Sequence, residues 1–429
     1  MMKRIPVFLL LCAGAARAQT PSLATYLSDL FSALATVRAG IANKPQPRIP
    51  LGAQLIPASV SWINLQPWCN PASAASCTFN NAGTINAYMD ALARLGATTA
   101  DVSFWLTPMR AAAQYSGPLA SDCPNGYSCR SLANYDAMFS HAAANHIKIR
   151  IAPIASPDLV TLCGLSAASD EAAIEACLSP LIVAAAARWP QIDSITGLHE
   201  PTAMNAAMLG KVMSVADVRT FLKNVSAAVK AAVPAMPFGA AAAGPSFPLS
   251  DQAYWNDWIS NAAGSLDYVA LDVYGNSCDV TTYPSELATF GSMISTARAA
   301  GMPVRVNESA RPWWCPLGGS PSDNTAYAGC GNILWLTTGA DSAWQETFVH
   351  WASAAGVSSV SLFSSEPLIW YTASGPDDKC TSGNYTPRLM SQLGGSTPTG
   401  LNYARLGQWF NTSVQGRARL SGAPLRISK

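Results

Sequence analysis

Two glutamates stand out as candidates for chemistry. One closes the run Ile195-Thr196-Gly197-Leu198-His199-Glu200-Pro201, the other the run Val304-Arg305-Val306-Asn307-Glu308-Ser309. Each run is short and β-prone, so each glutamate falls at the C-terminal lip of a predicted strand. A carboxylic acid facing a carboxylate across a gap is the equipment for glycosidic bond cleavage: the acid protonates the departing oxygen while its partner attacks or activates water. A gap of roughly 5 Å implies double displacement with retention, and one of roughly 6.5–9.5 Å implies inversion. Either glutamate alone is adequately read as a solvated charge. Together, with Pro201 after one and Tyr274 placed to support the other, they favour catalysis. Glu366, in Ser364-Ser365-Glu366-Pro367, is a rival carboxylate better suited to contacting substrate or a neighbouring loop. His199 reads either as a hydrogen-bonded structural residue or as a substrate contact, and Asp272 as a structural ion-pair or hydrogen-bond partner.

Positioning two such groups requires a scaffold, and the sequence offers one. Short β-prone runs recur at Leu55–Val60, Thr99–Phe104, Ile147–Pro153, Ser194–Leu198, Phe238–Ala242, Tyr268–Val273, Val304–Asn307 and Ser358–Phe363. Helical patterns fall between or after them at Ile85–Leu95, Tyr135–Ala144, Asp170–Arg188, Val215–Val233, Pro284–Ala300, Ser342–Ala355 and Tyr403–Phe410. The apolar face is clearest in Val218, Phe221, Leu222, Val225 and Val229, and Pro180 offers a kink or break. Eight strands interleaved with helical patterns predict an α/β chain folded as a (β/α)8 barrel. An amphipathic helix over Pro21–Asn43 leads into it. Barrels of this kind place their chemistry at the C-terminal ends of the strands, and the loops there carry most of the Cys, Trp, Pro and Gly.

With that order of elements, His199-Glu200-Pro201 and Asn307-Glu308-Ser309 resemble the motifs of clan A of the glycoside hydrolases, the retaining glycosidases built on (β/α)8 barrels. The resemblance covers about Leu51 to Phe410. It implies Glu200 as acid/base, normally set in Asn-Glu-Pro after strand four, and Glu308 as nucleophile after strand seven. It also implies Tyr274, in Leu271-Asp272-Val273-Tyr274, as the strand-six tyrosine that hydrogen-bonds the nucleophile. Two positions depart from the pattern: His199 replaces the usual Asn, and Asp101-Val102-Ser103-Phe104-Trp105 lacks an arginine common near the end of strand two. These departures motivate the rival expectation of a barrel that binds glycans or a cell-surface partner without turnover. A transglycosylase using the same carboxylates is a third.

Composition fits a neutral, hydroxyl-rich ligand. Only 12% of the 429 residues are charged, against about a quarter in an average chain, and the net charge is +1. Such a chain has no electrostatic case for nucleic acid or an anionic membrane surface. Thirteen Trp and 13 Tyr suit stacking on sugar rings. Among those near strand ends, Trp105, Trp313 and Trp370 are the expected lining of the cleft. Residues 1–18 have the basic start, short apolar run and Ala16-Arg17-Ala18 ending of a cleaved secretory signal peptide. Residues 19–50 then form a lead-in and 51–429 a single catalytic barrel, secreted or periplasmic, off the membrane once cleaved, and monomeric. Beyond Cys12, ten cysteines remain, an even number that favours disulfides in an exported chain. Three local pairs are expected, Cys69 with Cys77, Cys123 with Cys129 and Cys163 with Cys177. Cys278, Cys315, Cys330 and Cys380 pair among themselves in an order left open. Scattered cysteines without CxxC spacing and four unclustered histidines give no zinc signature, and no GxGxxG turn or P-loop is present. Neither a metal nor a cofactor is expected.

Overall fold

Eight strands pair in parallel, each with the next and the last with the first, to close a barrel in the computed structural model. The structure describes residues 23–55, 89–90, 92–93, 96–106, 109, 128–154, 163–202, 211–244, 251–274, 280–310 and 330–362. The strands are β1 (Leu51–Leu55), β2 (Thr99–Trp105), β3 (Lys148–Ile154), β4 (Ile192–His199), β5 (Phe238–Ala243), β6 (Tyr268–Tyr274), β7 (Val304–Ala310) and β8 (Ser359–Leu362). Among the described residues the longer helices are α1 (Leu23–Ile41), α2 (Ser128–Ala144), α3 (Glu171–Arg188), α4 (Val215–Ala232), α5 (Gln252–Asn261), α6 (Tyr283–Ala299) and α7 (Cys330–Ala355).

Local chemistry explains the helices. In α1, Tyr26, Leu30, Ala33, Leu34, Val37 and Ile41 are buried, the three-and-four spacing of one helix face. Arg38 ties it to α7 through Thr347 Oγ1 at 2.7 Å. The Asp170 carboxylate caps α3, accepting from the Ala173 N–H at 2.9 Å. The helix then runs through Pro180 without a break. An internal proline costs about 3 kcal/mol, while each fully buried Ile or Leu of the kind seen at Ile174, Leu181 and Ile182 returns about 1.5–3 kcal/mol. Ser214 caps α4, accepting from the Asp217 N–H at 3.1 Å. Val218, Phe221, Leu222, Val225 and Val229 form its buried face.

Two expectations need correction. The first strand begins at Leu51, four residues before the expected Leu55, and runs through Leu55 among the described residues. Its Leu-Gly-Ala-Gln-Leu sequence lacks the β-branched residues that mark the following stretch, but Gly52 permits close approach to β2 and β8. A Cβ there would stand 2.8 Å from the Ser361 hydroxyl. The second correction is α5, a ten-residue helix that buries Tyr254, Trp255, Trp258 and Ile259 and was not anticipated. Cys163 and Cys177 form the expected disulfide, with Cα atoms 5.9 Å apart. The side chains of Cys69, Cys77, Cys123, Cys129, Cys278, Cys315, Cys330 and Cys380 lie outside the described residues, as do the 1–18 segment, 56–60 and the predicted helix Tyr403–Phe410. No helix among the described residues is long and apolar enough to cross a membrane.

The main apolar core lies between the sheet and its helices. Inside the barrel the filling is polar, joining strands that are not neighbours. Arg305 on β7 donates to Ser194 Oγ on β4 at 2.6 Å and lies 3.7 Å from the centre of the Tyr268 ring. Arg150 on β3 donates to Ser359 Oγ on β8 at 2.8 Å and stands 3.7 Å from the Asp101 carboxylate. The Ser361 hydroxyl donates to that same carboxylate. Asn307 Nδ2 on β7 donates to Thr196 Oγ1 on β4 at 3.2 Å.

Candidate active site

Two bulges set the direction of the functional side chains. Between β4 and β5, Thr196 pairs with Gly239 but Leu198, not Gly197, pairs with Ala240. The extra residue is Gly197, where a Cβ would collide with the Phe238 ring. It reverses the alternation, so that His199 rather than Leu198 follows Ser194 and Thr196 toward the barrel axis. Between β6 and β7, Leu271 pairs with Val306 but Asp272 with Glu308. Asn307 is the extra residue there. Asn307 can therefore reach across the interior while Glu308, its immediate neighbour, also faces the axis. Glu308 consequently lies inside β7, two residues before the strand's end, rather than at its lip.

Glu200 follows β4 directly with φ 45°, a left-handed conformation that is uncommon outside glycine. Its N–H donates to the Ala241 carbonyl at 2.9 Å. Pro201 and Thr202 begin a helical turn immediately beyond.

At the centre stands His199. Its Nε2 lies 2.7 Å from Asp272 Oδ2 and 3.3 Å from Glu308 Oε1. The other oxygen of Glu308, Oε2, accepts from the Tyr274 hydroxyl at 2.5 Å. Only 1% of Asp272, 7% of His199 and 8% of Glu308 is exposed, so these charges act on one another with little screening. Burial alone would lower the His199 pKa. The Asp272 and Glu308 charges and the Asp272 hydrogen bond outweigh it and raise the value well above the ordinary one. His199 thus sits between two acidic side chains that favour its protonated form. Burial, then Asp272, push Glu308 up to about 7, with His199 and the Tyr274 hydrogen bond pulling the other way. Glu200 is raised well above the usual carboxylate range, first by burial and then by Asp272, with Glu308 and Asp251 adding to the effect and His199 opposing it. Burial and the adjoining Glu308 also hold the Tyr274 phenol well above its ordinary value.

His199, Asp272 and Glu308 each offer one ligand atom within 4.8 Å of the others. The 2.7 Å contact between His199 Nε2 and Asp272 Oδ2 is a hydrogen bond inside this group. Within this group of side chains, His199 Nδ1, Asp272 Oδ1 and Asn307 Oδ1 are buried without a hydrogen-bond partner among the described residues.

The structure thus brings His199, Glu200, Tyr274 and Glu308 to one end of the barrel, with Asp272 joined to them. Asp272 takes the expected part of an ion-pair or hydrogen-bond partner, 2.7 Å from His199, and its charge also bears on Glu200, Glu308 and Tyr274. Trp105 ends β2. Its side chain, and the whole of Trp313, Trp370 and Glu366, lie outside the described residues. Sequence reasoning passed over Asp251 and Thr202. Asp251 is fully buried, and its carboxylate accepts from the Thr202 N–H at 3.0 Å, the Thr202 hydroxyl at 2.5 Å and the Ala243 N–H at 2.8 Å. A lone aspartate before a short helix gave no signal of that role.

No family model matches the sequence, and no curated protein is similar to it. Solved structures do share the fold. A GH10 endoxylanase from a sugarcane soil metagenome superimposes with a TM-score of 0.52 at 10% identity, over 84% of this chain and 97% of that one. A GH5_18 protein from Bifidobacterium longum, solved with Manb1-4GlcNAc, gives 0.52 at 11% identity, over 85% and 79%. The beta-glycosidase BGL167 gives 0.50 at 13% identity, over 85% and 96%. These neighbours belong to the clan that the two glutamate motifs resemble. At such identities the likeness is one of fold.

Proposed function

We propose that the chain is a retaining glycosidase acting on β-linked oligo- or polysaccharide, with Glu308 as nucleophile and Glu200 as acid/base. One observation carries the reading. The carboxylate held by Tyr274 and the glutamate after β4 sit in a single buried charge system, in which Glu308 raises the proton affinity of Glu200 and Asp272 raises that of both. Two carboxyl groups coupled in this way divide their protons unequally. Glu308 is favoured as the ionised member, because its oxygens receive the Tyr274 hydroxyl and face the His199 imidazolium. No such donor is seen at Glu200 among the described residues, and it keeps its proton.

In the first step Glu308 forms a bond to the anomeric carbon as the glycosidic carbon–oxygen bond breaks, and the Glu200 proton passes to the departing oxygen. In the second, Glu200 takes a proton from water, the water oxygen bonds to the anomeric carbon, and the ester to Glu308 breaks. The neighbours' names, an endoxylanase, a protein with a β1-4 disaccharide and a beta-glycosidase, support a β-linked substrate. We further propose that residues 1–18 direct export, that 51–429 act as one catalytic barrel, and that the protein works as a monomer. Cell fractionation and gel filtration check these points.

A panel of aryl β-glucosides, xylosides, mannosides and their β-1,4 disaccharide counterparts tests the chemistry. The expected outcome is turnover with the β-anomer released first, read by NMR, and loss of activity in Glu200→Ala and Glu308→Ala. Inversion, or wild-type rates in either variant, contradicts the assignment. Glycan binding without any turnover points instead to an inert carbohydrate-binding barrel.

A further inference from the structure

We infer that Asp251 and Thr202 form a clamp that positions Glu200, stapling the segment after β4 to the end of β5. The inference rests on the reading of Glu200 as the proton donor, and it deepens that reading.

Glu200 sits in a conformation that a non-glycine residue keeps only where its surroundings over-determine it. Before it, His199 is locked by Asp272. At Glu200 itself the N–H is held by Ala241 of β5. Two residues on, Thr202 is held through both its N–H and its hydroxyl by one oxygen of Asp251, while the other oxygen holds the Ala243 N–H of the same β5. The backbone on either side of Glu200 is therefore referenced to one strand, leaving the side chain a narrow range of directions. Three donors converge on the two oxygens of a fully buried carboxylate. An amide offers only one acceptor oxygen, so Asn cannot reproduce the arrangement. Burying a carboxylate costs several kcal/mol, and a turn with no geometric duty has less demanding solutions. Asp251 also acts on Glu200 through its charge, alongside Asp272 on β6, Glu308 on β7 and the opposing His199 on β4.

Leaving-group dependence is the test, because a misplaced acid harms only substrates that need protonation. kcat/KM is measured for the phenyl and 2,4-dinitrophenyl β-glycosides of the sugar that the panel selects, with full-length wild type, Glu200→Ala, Thr202→Val and Asp251→Asn. Glu200→Ala should lose about 10²–10⁴-fold on the phenyl glycoside and far less on the dinitrophenyl one. Thr202→Val removes one hydroxyl at constant shape. Both it and Asp251→Asn should lose about 10–100-fold on the phenyl glycoside, with KM unchanged and the dinitrophenyl rate within about threefold of wild type. If Asp251→Asn does not fold, Thr202→Val decides. Equal losses on both substrates, or none, overturn the clamp while a selective Glu200→Ala leaves the underlying reading standing. If Glu200→Ala itself shows no selectivity, Glu200 is not the acid and both ideas fall.

Discussion

Replacing Tyr274 with Phe removes a single oxygen from the site, and the structure says what that oxygen does. The hydroxyl donates to Glu308 Oε2 at 2.5 Å, stabilising the ionised carboxylate. Its phenol is held well above its ordinary value by burial and then by Glu308, so it remains a donor across the whole working range and adds no titration of its own. A hydrogen bond to a charged acceptor contributes about 1.5–3 kcal/mol, and one pKa unit corresponds to about 1.4 kcal/mol. Losing it should therefore raise the Glu308 pKa by about one to two units from a starting value of about 7. Attack requires the ionised form, so activity grows as pH rises through the Glu308 pKa. The acid limb of kcat/KM against pH should accordingly start near 7 and move to higher pH in Tyr274→Phe, most of the loss being recovered on the alkaline side. Phe fits the space of Tyr, so the fold should be unchanged by circular dichroism and melting. An acid limb that stays in place, moves downward, or is replaced by a uniform loss at every pH would refute the reasoning.

The same electrostatics predict the behaviour of His199→Asn. Positive charge on His199 lowers both Glu200 and Glu308, so its removal should raise both limbs of the pH profile, the acid limb by about one to three units; an acid limb that does not move would show that His199 is neutral. A third prediction concerns the barrel interior. Arg150→Met strands the buried Asp101 carboxylate without its nearby cation and should cost about 3–5 kcal/mol in urea unfolding. Much of that should return in the double variant Arg150→Met with Asp101→Leu. Additive losses would deny the pair its role.

The barrel was legible in the sequence because strand and helix patterns alternate cleanly, and because β3, β4, β6 and β7 carry β-branched or aromatic residues where they are needed. The start of β1 at Leu51 was missed for the opposite reason: its close approach to β2 and β8 depends on the small Gly52, which reads as a poor strand residue. The site was legible only as residue types at strand ends. Glu200, Glu308 and Tyr274 could be named, because position along a strand specifies the end of the barrel. What could not be read was direction. The bulges at Gly197 and Asn307 reverse the alternation on β4 and β7, and no propensity announces them. Those shifts place His199 between Asp272 and Glu308, turning an apparent substitution for Asn into a hydrogen-bonded imidazole at the centre of an acidic site. Asp251 was invisible for a related reason, since its partners Thr202 and Ala243 meet it only through the packing of the turn after β4 against β5.

Covalent trapping reaches the central claim most directly. Incubation with 2-deoxy-2-fluoro β-glycosides bearing a dinitrophenyl leaving group should slow the second step enough for the glycosyl ester to accumulate. Intact mass should rise by one fluoroglycosyl unit, peptide mapping should place it on Glu308, and Glu308→Ala should remain unlabelled. Labelling at another carboxylate, such as Glu366, or steady turnover of natural substrate with inversion and no trapped ester, would contradict the account.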